Sequence, residues 1–182
     1  MERTILTFLA LQLFVLASTT RAEPHWRTYV NRTVGYSITY PSYLRLQPWP
    51  KDKDPNSPEQ WRSKVFESPD KEVSLVITEN PAVEGKTLNE YFNLWMKDRL
   101  EGGTVDYSLV KENWFVISGV NSLGYEFYEK FYLFPPTIPG EASDWYISFA
   151  FVYPHSARKS FDSIVTKVAQ SFTPNLPRGQ DH

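Results

Sequence analysis

The chain has 182 residues, contains no cysteine and carries a formal net charge of −2 at pH 7. The lack of cysteine excludes disulfides, thiolate metal sites and cysteine nucleophiles, and the slight negative charge is unlike the basic face of a nucleic-acid-binding protein. The length suffices for one domain with a hydrophobic core.

Residues 1–22 have the pattern of a removable export signal. Arg3 precedes an apolar run over residues 5–17, which is shorter than the about 20 apolar residues of a membrane-spanning helix. Thr20 and Ala22 then supply the small side chains that a signal peptidase accommodates. We therefore expect cleavage before Glu23, with an uncleaved signal anchor or an apolar first helix of the fold as the alternative.

The mature chain, residues 23–182, is expected to form a single domain with short flexible termini. Because an oxidising compartment would permit disulfides and the chain has none, a bacterial periplasm fits better than a eukaryotic secretory route. No second apolar run of membrane length follows the signal. We expect a periplasmic or secreted protein that has no transmembrane segment once the signal is removed.

Alternation of apolar and polar side chains predicts an aromatic-rich sheet in the mature chain. The segments at 105–110 and 114–119 are predicted to pair across a short polar turn. The last two strands are predicted to form a hairpin through the Pro-rich loop at 135–143. The predicted strands cover residues 36–40, 62–67, 73–77, 105–110, 114–119, 125–134 and 145–153.

Two segments have the spacing of amphipathic helices, and both are expected to pack against the sheet. The first covers residues 88–100, where Thr87 and Glu90 are placed to form a capping box. The second covers residues 157–172, with Ser156 as its predicted N-cap. The fold class predicted from these elements is α+β, a mainly antiparallel β-sheet covered by helices.

Four short motifs in this order and spacing resemble the PsbP-like superfamily, which includes the extrinsic PsbP subunit of photosystem II, Ran-binding Mog proteins and exported bacterial proteins. The resemblance implies an α/β/α sandwich and a non-enzymatic binding or assembly role. It provides no metal-binding or partner-binding motif. The motifs are Gly35-Tyr36-Ser37-Ile38-Thr39-Tyr40-Pro41, Gly85-Lys86-Thr87-Leu88-Asn89-Glu90-Tyr91, Gly124-Tyr125-Glu126, and Phe161-Asp162-Ser163-Ile164-Val165 leading to Ser171-Phe172.

His155 and Glu129 are the two candidate residues for polar chemistry. His155 precedes the second helix, where it could act as a general base or simply lie at a helix cap or on the surface. Glu129 falls on the apolar side of its strand, where a carboxylate needs a Lys or Arg partner or has a raised pKa. Glu126, three residues earlier, points to the opposite face, so the two carboxylates cannot share a substrate.

The sequence offers no recognisable catalytic or cofactor motif. There is no Gly-x-Ser-x-Gly elbow to position a nucleophile, no His-Glu-x-x-His pair for zinc and no phosphate-cradling glycine loop. We therefore predict no catalytic residue, no cofactor and no metal.

The segment at 46–61, rich in proline and charge, is the best candidate for binding. Trp49 and Trp61 bracket it, and exposed tryptophans next to a rigid sheet supply contact area for a partner at low entropic cost. The alternative is that both tryptophans fold back and close the edge of the core. The loop at 135–143 is the second candidate.

Two functional hypotheses follow. The first is an exported, non-enzymatic binding or assembly module that contacts another envelope protein and no nucleic acid. The second is a small-ligand-binding protein or small hydrolase with a pocket in which Glu129 and His155 converge. A patch of surface aromatic residues favours the first hypothesis, and a concave polar cavity favours the second.

Overall fold

The computed structural model describes residues 24–48, 63–134 and 145–174. The predicted export signal, Trp49, Trp61 and the loop at 135–143 lie outside these ranges. The helices are α1 Leu88–Glu101 and α2 Arg158–Ser171, and a 3₁₀ turn at His155–Ala157 precedes α2. The strands are β1 Trp26–Asn31, β2 Tyr36–Pro41, β3 Arg45–Leu46, β4 Ser63–Glu67, β5 Ser74–Pro81, β6 Gly103–Val110, β7 Trp114–Asn121, β8 Tyr125–Phe134, β9 Trp145–Pro154 and β10 Thr173–Pro174.

The strands form two antiparallel sheets. The large sheet has the order β3-β4-β5-β9-β8-β7-β6, and the small sheet has the order β1-β2-β10. The pairing of β6 with β7 and of β8 with β9 confirms both predicted hairpins. β1 was not predicted, because none of its six residues is buried, three are exposed, and it lacks the apolar alternation that marks a core-facing strand.

The large sheet separates two hydrophobic cores, so the protein is an α/β/α sandwich. The face that carries Phe127 and Phe131 packs against α1. The opposite face packs against α2 and the small sheet, with Phe149 and Phe151 fully buried there. The predicted α+β class, with helices on both sides of a mainly antiparallel sheet, is confirmed.

The α1 N-terminus has the predicted capping box. The Thr87 backbone N–H donates to the Glu90 carboxylate at 2.7 Å, and the Glu90 backbone N–H donates to the Thr87 hydroxyl at 3.3 Å. The hydrogen bonds from Thr87 lower the pKa of the Glu90 carboxyl. The helix therefore begins where the sequence pattern places it.

The predicted N-cap of the second helix, Ser156, is wrong. Pro154 has extended backbone angles and leads into the 3₁₀ turn, so Ser156 lies inside that turn and not at the position before α2. The residue at that position is Ala157, whose side chain makes no capping hydrogen bond. The apolar stripe of α2 is nevertheless buried as predicted, with Phe161 and Val168 in the core.

Candidate functional site

Glu129 faces α1 and is fully engaged there. Its side chain is only 6% exposed and accepts a hydrogen bond of 2.7 Å from the Trp95 indole N–H. The Arg99 guanidinium donates to its other oxygen at 2.7 and 3.1 Å. This is the cationic partner that a buried carboxylate requires, and it attaches α1 to the sheet.

His155 lies on the other side of the sheet, next to Glu126. The His155 Nδ1 is 2.6 Å from a carboxylate oxygen of Glu126, and the Arg158 guanidinium is 3.3 Å from the same oxygen. The expectation that Glu129 and His155 converge in one pocket is therefore wrong. Residues three apart on a strand point to opposite faces, so the partners of Glu126 and Glu129 are separated by the sheet.

In the part of the chain that the structure describes, His155 has a carboxylate partner and no nucleophile beside it. Glu126 is its hydrogen-bond partner, and within residues 24–48, 63–134 and 145–174 no hydroxyl is hydrogen-bonded to the ring. The same ranges contain no group of three His, Asp or Glu side chains able to hold a metal ion. His155 itself is 58% exposed, as expected for a surface histidine.

The face of the sheet that carries α2 is covered only in part by described elements. α2 lies against β2, β8 and β9, which leaves β6 and β7 beside it. Cross-strand register aligns Tyr107, Ser118 and Tyr128 across β6, β7 and β8, and Tyr107 is 50% exposed. We call this surface, together with Trp114 and Lys130, the open groove.

One end of the open groove deepens into a cavity next to α2. Its volume is about 400 Å³, within the usual range of ligand pockets. The polar side chains that line it are Ser118, Glu126, Tyr128, Tyr153, Arg158, Asp162, Thr166 and Gln170. Arg158 contacts both Glu126 and Asp106, so the acidic groups outnumber the arginine at this end.

Lys130 lies at the other end, over two neighbouring aromatic rings. Its Nζ is 4.5 Å from the centre of the Trp114 ring and 5.0 Å from that of Tyr132. Its burial lowers the pKa of its ammonium group. No carboxylate of the described residues pairs with it, so a half-buried positive charge here is held by aromatic faces alone.

Tyr128 places a neutral hydroxyl in the middle of the open groove. Burial, with a further contribution from Tyr132 and Tyr107, raises the pKa of Tyr128 to about 12. Its hydroxyl group therefore stays protonated at neutral pH and can donate a hydrogen bond. The groove thus combines a cation, hydroxyl donors and exposed rings.

A second cavity, of about 460 Å³, lies on the opposite side of the molecule beside α1. Its aromatic hydroxyls are engaged within the protein: Tyr91 accepts from the Val83 backbone N–H at 2.7 Å, and Tyr146 accepts from the Asn80 side chain at 3.0 Å. This surface is therefore the weaker candidate, and it serves below as the control.

Glu79 is a third buried carboxylate, and it joins the two sheets. It accepts hydrogen bonds from the Tyr36 hydroxyl and, at 2.8 Å, from the Asn31 amide. Burial raises the pKa of the Glu79 carboxyl, although both hydrogen bonds oppose this shift. The folded protein therefore holds this proton more tightly than the unfolded chain does.

The raised pKa of Glu79 predicts that part of the stability is lost as the pH rises. The contribution is complete below the ordinary pKa of glutamate and disappears as the pH passes through the raised value. Glu79→Gln keeps an acceptor oxygen and removes the titration, so its free energy of unfolding should fall less than that of wild type between about pH 4 and about pH 8. Urea unfolding across this range measures the difference.

Glu84→Gln, at an exposed position, controls for the loss of one negative charge. If the free energies of unfolding of wild type and Glu79→Gln change in parallel between about pH 4 and about pH 8, the raised pKa of Glu79 is contradicted.

Comparison with known proteins gives the fold. No protein-family model and no curated protein sequence matches the chain. The solution structure of cyanobacterial PsbP (CyanoP) from Synechocystis is 16% identical and superposes with a TM-score of 0.56, over 82% of this chain and 92% of that one. The chain has a PsbP-like fold. The resemblance noted in its motifs is thereby confirmed at the level of the fold.

Two further structures are similar. LpqN of Mycobacterium tuberculosis, described as involved in cell envelope biogenesis, is 8% identical, with a TM-score of 0.53 over 83% of this chain and 91% of its own. The Ran-binding protein Mog1p of Saccharomyces cerevisiae is 12% identical, with a TM-score of 0.47 over 84% and 97%. The PsbP-like fold is assigned here from the first two structures alone, and at these identities it does not define a function.

The sequence reasoning missed the open groove. The sequence pattern drew attention to Glu129 on the apolar side of β8, whereas the groove uses the opposite side, where Tyr128 and Lys130 lie. The signal available was a lysine in an otherwise aromatic alternation, with a second aromatic residue, Trp114, at the start of the neighbouring strand.

Proposed function

We propose that the chain is an exported, non-enzymatic binding module that contacts another protein of the cell envelope through the open groove. The observation that carries the proposal is Lys130, a half-buried cation that lies over the rings of Trp114 and Tyr132 and has no carboxylate partner in the described part of the chain. Such a charge is costly to keep in the free protein, and an anionic group of a partner would offset that cost.

The composition of the open groove supports protein binding. Tyrosine and tryptophan are enriched in protein interfaces, because they offer a large contact area and lose little conformational entropy. Tyr107 and Trp114 supply such area, and Tyr128 adds a hydroxyl donor. His155 and Glu126, at the cavity end, bind each other, so they serve in this proposal as a polar border.

The proposal of export rests on the predicted signal at residues 1–22. The mature domain would then consist of residues 23–182. No helix within the described ranges is long and apolar enough to cross a membrane. LpqN, which shares the fold, is described as involved in cell envelope biogenesis, and an envelope location for this chain agrees with that description. Trp49 and Trp61 stay in the proposal as further partner contacts.

A small-ligand function is the second candidate, and the cavity beside α2 is the observation in its favour. Its volume of about 400 Å³ suits a small polar molecule. A ligand in this cavity would contact Glu126, Arg158 and Tyr128. Glu129, on the other face of the sheet, would not contact it. Failure to capture any protein in the experiment below, together with a thermal shift by a small polar compound, would favour this candidate.

The proposal is tested by affinity capture from envelope extract with the mature chain. We expect one protein to be recovered by wild type, and its recovery to fall several-fold with Tyr107→Ser, which removes an exposed ring from the groove. Leu94→Ser is the matched control, because Leu94 is 48% exposed on the α1 side. It should capture as wild type does.

A third variant, Trp49→Ala with Trp61→Ala, tests the segment at 46–61. Loss of capture in this variant alone, with Tyr107→Ser unaffected, would move the contact away from the open groove and overturn that part of the proposal. Circular dichroism and thermal unfolding of each variant establish that the fold is kept.

A further inference from the structure

We propose that the open groove takes an acidic peptide segment of the partner in extended conformation, with Lys130 as the residue that pairs with its carboxylate. This inference rests on the proposed function and adds the chemical class of the ligand and the residue that selects it. Three features carry it: a cation that has no carboxylate partner within the described ranges, the spacing of the groove side chains and the distribution of charge along the groove.

The position of Lys130 is fixed before any ligand binds. The rings of Trp114 and Tyr132 lie within 4.5 and 5.0 Å of its Nζ, so the ammonium group has lost part of its hydration. In a partly desolvated site, a cation is stabilised more by a carboxylate than by the face of an aromatic ring. A carboxylate that approaches from the solvent side would add a charge-assisted hydrogen bond at little cost in side-chain entropy.

The spacing of the groove matches an extended peptide. Trp114, Val116 and Ser118 follow one another on the groove face of β7, next to Tyr132, Lys130 and Tyr128 of β8, and side chains two residues apart on a strand are separated by about 7 Å. One face of an extended peptide repeats at the same distance. A segment laid along β7, beside α2, can therefore place one side chain next to Lys130 and the next one beside Tyr128. Glu126 and Tyr132 are themselves buried, and Tyr132 stacks on Phe172, so the segment does not run over β8.

The distribution of charge favours a peptide with a few acidic side chains over a polyanion. Lys130 has no carboxylate partner among the described residues, whereas Glu126 and Asp162 line the cavity at the far end, where Arg158 is already shared between Glu126 and Asp106. A uniformly charged polymer, such as an acidic polysaccharide or nucleic acid, would be repelled there. A peptide can instead place its carboxylate at Lys130 and a neutral or basic side chain near Asp162.

The probe is an eight-residue peptide of alternating serine and alanine with a single glutamate near its centre, compared with the same peptide carrying glutamine at that position and with dextran sulfate. Amide NMR shifts of the mature protein report the site, and we expect them along β7 and β8. The glutamate peptide should bind at least about tenfold more tightly than the glutamine peptide. A tenfold difference in affinity lies between the effect of an exposed ion pair and that of a buried one.

Lys130→Met keeps the aliphatic stem and removes the charge, so it should weaken binding of the glutamate peptide about tenfold, whereas Lys130→Arg should stay within about threefold of wild type. Lys86→Met is the matched control. The Lys86 ammonium also lies over a ring, 4.9 Å from the centre of Tyr91, but on the α1 side, and its loss should leave binding unchanged.

The inference is overturned if the glutamate peptide does not bind, if both peptides bind equally, if dextran sulfate binds better, or if Lys86→Met weakens binding as much as Lys130→Met. Capture from envelope extract separates this failure from that of the proposed function. Capture that is lost with Tyr107→Ser and kept with Lys130→Met would overturn the acidic ligand and the part of the proposed function that rests on Lys130, and would leave a binding module supported by the exposed ring of Tyr107. If neither variant affects capture, both the acidic-peptide inference and the proposed contact through the open groove are overturned.

Discussion

Replacing Phe131 with alanine is expected to lower the free energy of unfolding by about 4 kcal/mol. Phe131 is fully buried between the large sheet and α1. Its ring centre lies 4.7 Å from that of Phe115, 4.8 Å from Tyr146, 5.0 Å from Tyr91 and 5.2 Å from Trp95. The substitution removes a buried ring and leaves a cavity that four rigid neighbours cannot fill.

Urea unfolding followed by tryptophan fluorescence measures this effect. Leu123→Ala is the control, because Leu123 is 80% exposed in the β7–β8 turn and its truncation should change stability by no more than about 0.5 kcal/mol. A loss below about 1 kcal/mol for Phe131→Ala would contradict the packing described for the α1 side of the sheet.

Replacing Glu129 with alanine is expected to cost about 3 kcal/mol. The change leaves the Trp95 N–H without its acceptor and the Arg99 guanidinium without its buried partner. Arg99 is about one-third exposed, 35%, and can turn towards water, so the expected loss is at the lower end of that for broken buried ion pairs. Denaturant unfolding at neutral pH provides the value.

The same helix supplies a matched control for Glu129. Lys97 and Glu101 form an exposed ion pair at 3.8 Å, and Glu101→Ala should cost no more than about 0.5 kcal/mol. If Glu129→Ala and Glu101→Ala have equal effects, the buried pair does not attach α1 to the sheet as described.

Both helices, the capping box of α1 and the predicted strands could be read from local patterns, because these depend on the period of apolar side chains. Glu129 was also recognisable as a carboxylate in need of a cation. Arg99 and Trp95 as its partners were not, since they lie thirty or more residues away in sequence and only the docking of α1 brings them there.

The open groove depends on strand order, which local patterns do not encode. Alternation shows that β8 has two faces, but the order β9-β8-β7-β6 decides that β6 and β7 lie beyond α2. The pocket expected between Glu129 and His155 failed for a related reason. Alternation along β8 directs the Glu129 side chain towards α1, whereas His155 contacts Glu126 on the other face of the sheet.

Site-specific photo-crosslinking tests the central claim, that a partner binds the open groove, most directly. A photoreactive phenylalanine analogue replaces Tyr107 in the full chain, and Leu94 on the α1 side in a second variant, each in the cells that make the protein. The account predicts one envelope-protein adduct from position 107 and none from position 94. An adduct from position 94 with none from position 107 would contradict it.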